Sequence, residues 1–161
     1  MNSNQLQSHY FKTPLGIAKI TGDSLGIAQI LIADQGDIST SIPLVLEKAV
    51  LQINEYFLGN RIDFDFECNP SGTDFQQKVW AELRQIPHGK TLSYMQLSKK
   101  MGDPKAVRAV AAANGKNPLW IVVPCHRVIG SDGSLTGYAG GLWRKKWLLE
   151  HENPSLQQNL F

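Results

Sequence analysis

The chain has 161 residues, of which 42% are hydrophobic and 19% are charged. This length suits one mid-sized domain or two small ones, and the composition excludes a chain that is disordered throughout. The longest apolar run covers only residues 119–123, and the N-terminal residues contain no apolar signal core. We therefore predict that the protein neither crosses a membrane nor is secreted, and we expect it in the cytoplasm.

The net charge of +2 conceals an uneven distribution of charge along the chain. Residues 1–74 carry four basic and nine acidic side chains, whereas residues 75–161 carry twelve basic and five acidic ones. The second half therefore has a net charge of +7, which is typical of a segment that binds a polyanion such as nucleic acid. A solvated lysine surface explains the same charge equally well, so charge alone does not decide the function.

The N-terminal part of the chain predicts a small sheet followed by a helix. Three strands rich in Ile and Leu are expected at residues 9–13, 15–21 and 26–33, with hairpin turns between them. Apolar residues at spacings of three and four predict a helix over residues 43–58, which Gly59 ends. Residues 61–68 alternate apolar and acidic side chains, and this alternation predicts a half-buried strand with Cys68 facing inward.

A loop-like stretch, Asn69-Pro70-Ser71-Gly72, lies just before the charge changes sign. We place a domain boundary there. This gives an N-terminal domain of residues 1–70, a C-terminal domain of residues 71–153 and a flexible tail of residues 154–161.

The C-terminal domain is predicted to begin and end with a helix. Thr73 and Gln76 fit a capping box, so the first helix should start at residue 74 and end before residues 87–89. Its apolar face should contain Phe75, Val79 and Leu83. A continuously apolar strand is expected over residues 119–123, followed by a glycine-rich loop over residues 130–141 and a last helix over residues 142–151.

Two short helices with a tight turn between them are predicted in the basic region. Ser93 can cap the first helix, and Asp103 followed by Pro104 can start the second, which runs to about Asn114. Helix, glycine-containing turn, helix is the pattern of a helix-turn-helix motif. The second helix carries Arg108 among small residues on its outer face, a shape that suits insertion into a groove. An ordinary amphipathic helix with one exposed arginine has the same pattern.

Cys125 and His126 are the strongest candidates for chemistry. They follow the predicted apolar strand, and strand ends present side chains to clefts. Because the thiolate is the reactive form of cysteine, a neighbouring base favours nucleophilic catalysis. A small buried residue is the alternative for Cys125. Cys68 and Cys125 are too far apart, and the four histidines too scattered, to predict a metal site, and two cysteines are too few for a disulfide framework.

Two further side chains have two interpretations each. Glu152 continues the apolar stripe of the last helix, so its carboxylate could turn inward and orient a histidine, or remain a surface charge at a helix end. Tyr94 shares a helix face with Leu97 and Met101, which by itself predicts core packing.

The segment Val123-Pro124-Cys125-His126-Arg127-Val128-Ile129 resembles the PCHRV signature of the O6-alkylguanine-DNA alkyltransferases, also called methylated-DNA–protein-cysteine methyltransferases. The resemblance extends over residues 75–152 through Ser93-Tyr94 and residues 104–110, 115–118 and 136–142, in order and correctly spaced. It implies an α+β fold. A small N-terminal sheet-plus-helix domain of RNase H-like type is followed by a mostly helical C-terminal domain with the helix-turn-helix.

The resemblance implies a role in alkyl transfer for five residues. Cys125 accepts the alkyl group, His126 takes the thiol proton through a bridging water, and Glu152 orients His126. Asn117 packs beneath the site and ties the recognition helix to the cysteine segment. Tyr94 crowds the phosphate backbone and donates a hydrogen bond to guanine N3.

The resemblance also implies a DNA-binding surface and a pocket for the extruded base. Arg108 is expected to enter the duplex where the lesion base leaves. The residues expected to contact DNA are Tyr94, Lys105, Ala106, Arg108, Ala109, Ala112, Gly115 and Arg127. The residues expected to line the pocket are Asn114, Val128, Tyr138, Ala139, Gly140 and Trp147. Ala139 stands where some members carry Ser, and Trp120 stands where smaller residues or Pro are common.

The function implied by the resemblance is DNA repair. The protein should flip O6-alkylguanine, and O4-alkylthymine as well, out of double-stranded DNA. It should then transfer the alkyl group irreversibly to Cys125, as a monomer and without a cofactor or a metal. Two other functions remain open: a helix-turn-helix DNA-binding regulator in which Cys125 only packs, and a cysteine hydrolase, for which the sequence shows no recognisable oxyanion motif.

Overall fold

The computed structural model describes residues 5–155, so residues 156–161 of the predicted tail lie outside the described range. Within that range the chain has a mixed α/β architecture with a three-stranded sheet, a two-stranded sheet and five α-helices. The chain forms two compact units. One contains the residues up to Ser71 together with Pro118–Trp120, and the other contains Gly72–Asn117 and the residues from Ile121 onward. No helix in residues 5–155 is long and apolar enough to cross a membrane.

Three antiparallel strands form the sheet of the first unit, as the sequence predicts. β1 (Gln7–Thr13), β2 (Gly16–Asp23) and β3 (Gly26–Ala33) are joined by tight turns in the order β1-β2-β3. Residues of β1 and β2 alternate between buried and more exposed positions, with Phe11 and Ile20 on the buried side. This alternation follows from the pleat, which points successive side chains to opposite faces.

One helix, α1 (Glu47–Phe57), follows the sheet after a turn of 3-10 helix at Leu44–Leu46. Of the apolar residues predicted to form its buried face, Leu46, Val50 and Ile53 are buried, whereas Phe57 is half-buried and Tyr56 is buried instead. Gly59 follows the helix with a φ of +82°, a left-handed conformation that glycine adopts without steric cost.

The strand predicted over residues 61–68 is wrong. The segment is irregular, with one isolated bridge between Cys68 and Ile27. Instead of pairing with a strand, the Asp65 amide donates to Gln52 Oε1 at 3.2 Å, and Gln52 Nε2 donates to Asp65 Oδ1 at 2.6 Å. The Lys48 ammonium lies 3.2 Å from the same carboxylate. Contacts of Asp65 to α1 therefore hold the middle of this segment, and the alternation of apolar and acidic residues does not produce a strand.

The second unit begins with α2 (Asp74–Leu83), whose predicted capping box is confirmed. The Thr73 hydroxyl accepts a hydrogen bond from the Gln76 amide at 3.1 Å, and Gln76 Oε1 accepts one from the Thr73 amide at 2.9 Å. Val79 and Leu83 are buried as predicted. Phe75 is wrongly predicted as core, since it is 38% exposed, and Trp80 is buried instead.

Two further helices, α3 (Tyr94–Lys100) and α4 (Val107–Gly115), follow one another across a short turn. Ser93 caps α3 as predicted, and Asp103 caps the turn of 3-10 helix that leads into α4. Between the helices Gly102 has a φ of +87°, which a residue with a side chain would adopt only with strain. The local signals in the sequence therefore place both helices and the turn correctly.

The strand predicted over residues 119–123 is also wrong. Leu119 is bridged to Ile30, but Ile121 has a φ of +75°, in a region that branched side chains rarely occupy. All five side chains are nonetheless buried, with exposed fractions of 7% or less. The apolar run thus predicts burial correctly, but a run without periodicity does not distinguish a strand from a buried turn.

The last helix, α5 (Leu142–Glu152), agrees with the prediction to within one residue and follows the glycine-rich loop. Two very short strands that the sequence does not predict, β4 (Leu92–Ser93) and β5 (Val128–Ile129), pair in parallel. Because α3 starts directly after β4, this pairing brings the start of α3 next to the segment that contains Cys125.

Candidate active site

Cys125 is the first residue of a turn of 3-10 helix, Cys125–Arg127, and not the end of a strand as predicted. Its amide donates to the carbonyl of Val123 at 2.8 Å. The residue is only 5% exposed. The turn directs three consecutive polar side chains into the interior of the second unit, since His126 and Arg127 are buried as well.

The residues that end α4 hold the backbone around Cys125. Asn117 is buried and its Nδ2 donates to the carbonyl of Val123 at 2.7 Å, and Asn114 Nδ2 lies 3.5 Å from the carbonyl of Cys125. The end of the second helix of the predicted motif is therefore tied to the cysteine segment by side-chain amides. This agrees with the position predicted for Asn117 beneath the site, although the segment it holds is a turn.

The thiol of Cys125 is protonated near neutral pH in the resting protein. Burial raises its pKa to about 11, although the Asn117 side chain and the Lys145 ammonium each lower it. A thiol of this kind is a poor nucleophile until its proton is taken. The site therefore needs a base close to Cys125.

His126 and Glu152 form a buried pair that can supply such a base. Nε2 of His126 and Oε2 of Glu152 are 2.7 Å apart, and both side chains are almost completely excluded from solvent. Because a carboxylate only accepts hydrogen bonds, Nε2 carries the hydrogen. Nδ1 of His126 is buried and has no hydrogen-bonding partner within residues 5–155. In the neutral imidazole Nδ1 is therefore the nitrogen that can accept a proton.

Glu152 is ionised although it is buried, because His126 and Arg127 both stabilise its negative charge. Arg127 Nε donates to Glu152 Oε1 at 2.7 Å and Nη2 donates to Oε2 at 3.0 Å, while Nη1 donates to the carbonyl of Ile86 at 2.7 Å. Burial alone would raise the pKa of Glu152, but His126 and Arg127 outweigh burial and hold its pKa far below the usual 4.5. The inward orientation considered for Glu152 is the one observed.

Two buried cations of α5 hold the glycine-rich loop. Lys145 Nζ donates to the carbonyls of Thr136 at 2.6 Å and Gly137 at 3.2 Å, and Arg144 Nη1 donates to the carbonyl of Gly140 at 2.9 Å. Burial raises the pKa of Tyr138, which this loop carries, well above its usual value. Helix α5 therefore fixes the loop at both ends of the segment in which the pocket residues are predicted.

Tyr94, at the start of α3, belongs to the same neighbourhood and is half-buried. Burial raises the pKa of its hydroxyl, and hydrogen bonds to Thr136 and Asn114 lower it. A negative charge on Cys125 also raises the pKa of the Tyr94 hydroxyl. Its sequence alternative, simple core packing with Leu97, does not account for these polar contacts. The structure thus brings Tyr94, Asn114 and Cys125 together from separate parts of the sequence.

The outer face of α4 is exposed, as the predicted DNA-contacting set requires. Ala106 is half-buried in the preceding turn, and the rest of the set on this helix is exposed. The exposed members are Lys105, Arg108, Ala109, Ala112 and Gly115. Within α4 itself Arg108 is the single cation and stands among small residues, while Lys105 lies in the preceding turn. This shape lets a partner approach the helix closely.

Residues 74–154 match the family model of the 6-O-methylguanine DNA methyltransferase, DNA binding domain. A methylated-DNA–protein-cysteine methyltransferase of Methanosarcina acetivorans is 41% identical over 149 residues, which cover 88% of this chain and 95% of that protein. The chain belongs to the family of the methylated-DNA–protein-cysteine methyltransferases.

Other methylated-DNA–protein-cysteine methyltransferases agree with the assignment. The Mycobacterium bovis protein of that name is 53% identical over 113 residues, which cover 70% of this chain and 68% of the relative. The crystal structure of Mycobacterium tuberculosis OGT in complex with DNA is similar with a TM-score of 0.83 and 42% identity, covering 91% of this chain and 92% of that one. The fold of this methyltransferase is therefore that of its solved relative.

The structure locates two predicted site residues of this methyltransferase, Arg127 and Trp147, and the unusual Trp120. The resemblance implies that Arg127 contacts DNA, but its side chain is buried against Glu152 and does not belong to the DNA-contacting set. Trp147 is half-buried and stacks on His151 at 4.7 Å between ring centroids. Trp120 is 7% exposed and lines an apolar cavity of about 260 Å³ in the first unit. It therefore packs in the core of the first unit.

The sequence does not indicate that Arg127, Arg144 and Lys145 lie in the interior of the methyltransferase. Arg144, Lys145 and Lys146 stand in a row on a helix, which is typical of a solvated face, yet the first two are buried. No local sequence pattern indicates that Arg144 and Lys145 are buried, because they donate to main-chain carbonyls of the loop. Only the position of the loop against α5 shows what they bind.

Proposed function

We propose that this protein repairs O6-alkylguanine in double-stranded DNA by moving the alkyl group onto Cys125, once per protein molecule. The observation that supports this most strongly is the buried array of Cys125, His126 and Glu152 inside the region that matches the family. A buried thiol next to an imidazole held by a carboxylate suits nucleophilic transfer. O4-alkylthymine presents the same kind of alkyl group on an exocyclic oxygen, so we include it as a second substrate.

The transfer is a displacement at the alkyl carbon. Nδ1 of His126 takes the Cys125 proton through a bridging water, and the thiolate attacks the carbon in line with the C–O6 bond. The S–C bond forms as the C–O bond breaks, and the electron pair passes to the guanine ring. Tyr94 donates a hydrogen bond to guanine N3 as this charge develops, and the proton released by the thiol finally neutralises the guanine. The Cys125 thiolate is a poor leaving group from the thioether, so the alkyl group stays on the protein and the reaction stops after one transfer.

The alkylated base must leave the base stack of the duplex before the alkyl group can be transferred. We propose that α3, the turn at Gly102 and α4 act as a helix-turn-helix, with the exposed face of α4 against the DNA. Arg108 then fills the space that the flipped base leaves, which offsets part of the extrusion free energy. The extruded base is held by the six pocket residues: Asn114, Val128, Tyr138, Ala139, Gly140 and Trp147.

The finer features of the fold belong to the same proposal. The antiparallel three-stranded sheet followed by α1 supports an RNase H-like N-terminal domain, with the domain boundary at residues 70–71. We propose that the protein acts as a monomer, since one chain supplies the complete array around Cys125. A free, reactive thiol is maintained in a reducing compartment, which supports a cytoplasmic location.

Arg108→Ala should slow repair of O6-methylguanine in duplex DNA by about tenfold to a hundredfold, because extrusion of a base costs a few kcal/mol and the variant cannot fill the gap. Transfer from free O6-methylguanine should keep its rate, since no base is extruded. Single-turnover transfer of a labelled methyl group to the protein measures both rates.

Arg84→Ala, which removes an exposed arginine after α2, is the matched control and should repair duplex DNA at the parental rate. Equal losses on duplex and free base in Arg108→Ala would contradict the role given to Arg108. Protection of an undamaged DNA site together with no methyl transfer by the parent protein would instead favour a DNA-binding regulator.

A further inference from the structure

Asn114 forms part of the wall around Cys125. It lies in the last turn of α4 and is only 5% exposed. Its Nδ2 lies 3.5 Å from the carbonyl oxygen of Cys125. Because a carbonyl only accepts hydrogen bonds, the amide nitrogen faces Cys125 and Oδ1 is directed away from that carbonyl. Oδ1 shares its carbon atom with Nδ2, so it lies within about 6 Å of the same carbonyl oxygen.

Oδ1 of Asn114 is a buried acceptor that has no hydrogen-bonding partner within residues 5–155. The contact of Asn114 with the Tyr94 hydroxyl lowers the pKa of that hydroxyl, which is the effect of a donor, so this contact uses Nδ2. Nδ1 of His126 also lacks a partner in this range, but it is the atom that takes the Cys125 proton. A buried acceptor without a donor lowers the stability of a protein. Oδ1 is therefore suited to a donor that a bound molecule supplies.

O6-alkylguanine in DNA offers a single donor group on its base. An alkyl group on O6 leaves N1 without a proton, so N1, N3, N7 and O6 are all acceptors. The remaining donor is the exocyclic 2-amino group, which lies on the edge of the base that carries N3. The proposed function pairs N3 with the Tyr94 hydroxyl, and Asn114 contacts that hydroxyl. A base held in this way has its 2-amino group next to Asn114.

We propose that Asn114 is a specificity-determining residue, whose Oδ1 accepts a hydrogen bond from the 2-amino group of the extruded O6-alkylguanine. The inference rests on the proposed function and names the side-chain atom that reads the base.

The proposed hydrogen bond ranks the two substrates. The base of O4-alkylthymine in DNA has no N–H group, because alkylation of O4 leaves N3 without a proton. It therefore leaves Oδ1 of Asn114 unpaired. A site that is built to hydrogen-bond one substrate discriminates against an analogue without the donor. O6-alkylguanine should therefore react faster than O4-alkylthymine.

The test compares methyl transfer from O6-methylguanine and from O6-methylhypoxanthine, which lacks only the 2-amino group. Each base is placed in the same short single-stranded oligonucleotide, so that no base pair has to be broken. Single-turnover rates are measured with labelled methyl groups. The parent protein should react with O6-methylguanine about tenfold faster, the order of effect expected when a buried acceptor loses its hydrogen bond.

Asn114→Leu keeps a side chain of similar shape but has no acceptor. The variant should reduce the preference for O6-methylguanine from about tenfold to about twofold or less, because the 2-amino group no longer gains a hydrogen bond in the site. A residue that only supports the turn of Cys125 would slow both substrates by the same factor when it is replaced. The ratio of the two rates therefore separates recognition of the base from structural support.

Asn117→Leu is the matched control, because it removes another buried asparagine that is tied to the cysteine segment. It should slow both substrates by the same factor and keep the parental ratio. Equal parental rates on the two substrates, an unchanged ratio in Asn114→Leu, or the same loss of preference in Asn117→Leu would overturn the inference. If Asn114→Leu does not fold, Asn114→Ala takes its place, since alanine favours the helix and also lacks an acceptor.

The outcome is separable from that of the proposed function. A folded parent protein that takes no methyl group from any of the oligonucleotides would remove the proposed function, and the inference with it. Transfer from O6-methylguanine with the same ratio of rates in the parent and in Asn114→Leu would remove only the inference.

Discussion

Cys125→Ser is expected to bind duplex DNA that contains O6-methylguanine and to transfer no methyl group to itself. A serine hydroxyl is far harder to ionise near neutral pH than a thiol, so the nucleophile is lost while the shape of the site is kept. The substituted atom lies in a buried turn that Asn117 holds, whereas the face of α4 that we propose to contact DNA is exposed. Transfer of radiolabelled methyl to protein and a gel-shift titration measure the two properties.

Cys68→Ser is the control for this experiment, because Cys68 is half-buried in the first unit, where its Sγ donates a weak hydrogen bond to the carbonyl of Phe66 at 3.7 Å. The Cys68→Ser variant should accept a methyl group at the parental rate and bind DNA as the parent does. Residual transfer in Cys125→Ser, or a lost transfer in Cys68→Ser, would show that the acceptor has been misassigned.

Glu152→Gln should slow methyl transfer by about a hundredfold or more, the usual range for loss of general acid–base support. The neutral amide cannot stabilise a positive His126, so the imidazole becomes a weaker base for Cys125. The same substitution should lower the free energy of unfolding by about 3–5 kcal/mol, because Arg127 is left buried without its counter-charge. Urea unfolding and single-turnover transfer at a temperature where the variant is folded measure both effects.

Glu150→Gln, on the same helix and outside every ion pair in residues 5–155, is the matched control and should change neither quantity greatly. The pH dependence of stability provides a second check. Since the pKa of Glu152 is lower in the folded than in the unfolded protein, its contribution is complete above the usual 4.5 and is lost as the pH falls toward the folded value. Stability that falls equally steeply with acid in parent and Glu152→Gln would contradict the buried pair.

The elements that the sequence predicts correctly are those with local signals. Turn residues separate the three strands of the first sheet, and side chains three residues apart form the capping boxes at Thr73 and Ser93. These interactions involve neighbours in the chain, so a single sequence contains all the information they require. The PCHRV segment similarly places the reactive residues in one short stretch.

The predictions that fail depend on partners far along the chain. Residues 61–68 are irregular because Asp65 bonds to Gln52 on α1, and residues 119–123 turn at Ile121 although every side chain is apolar. Arg127 resembles a DNA-binding cation, yet its partner is a carboxylate 25 residues away. The buried state of Lys145 depends on two loop carbonyls that no sequence pattern marks.

The most direct test of the central claim is the intact mass of the protein after incubation with an excess of duplex DNA that carries O6-methylguanine. The account predicts that every active molecule exchanges one hydrogen for one methyl group, that peptide mapping locates it on Cys125, and that the reaction then stops. More than one methyl group removed from DNA per protein molecule, or a methyl group located on Cys68, would contradict a single-use transfer to Cys125.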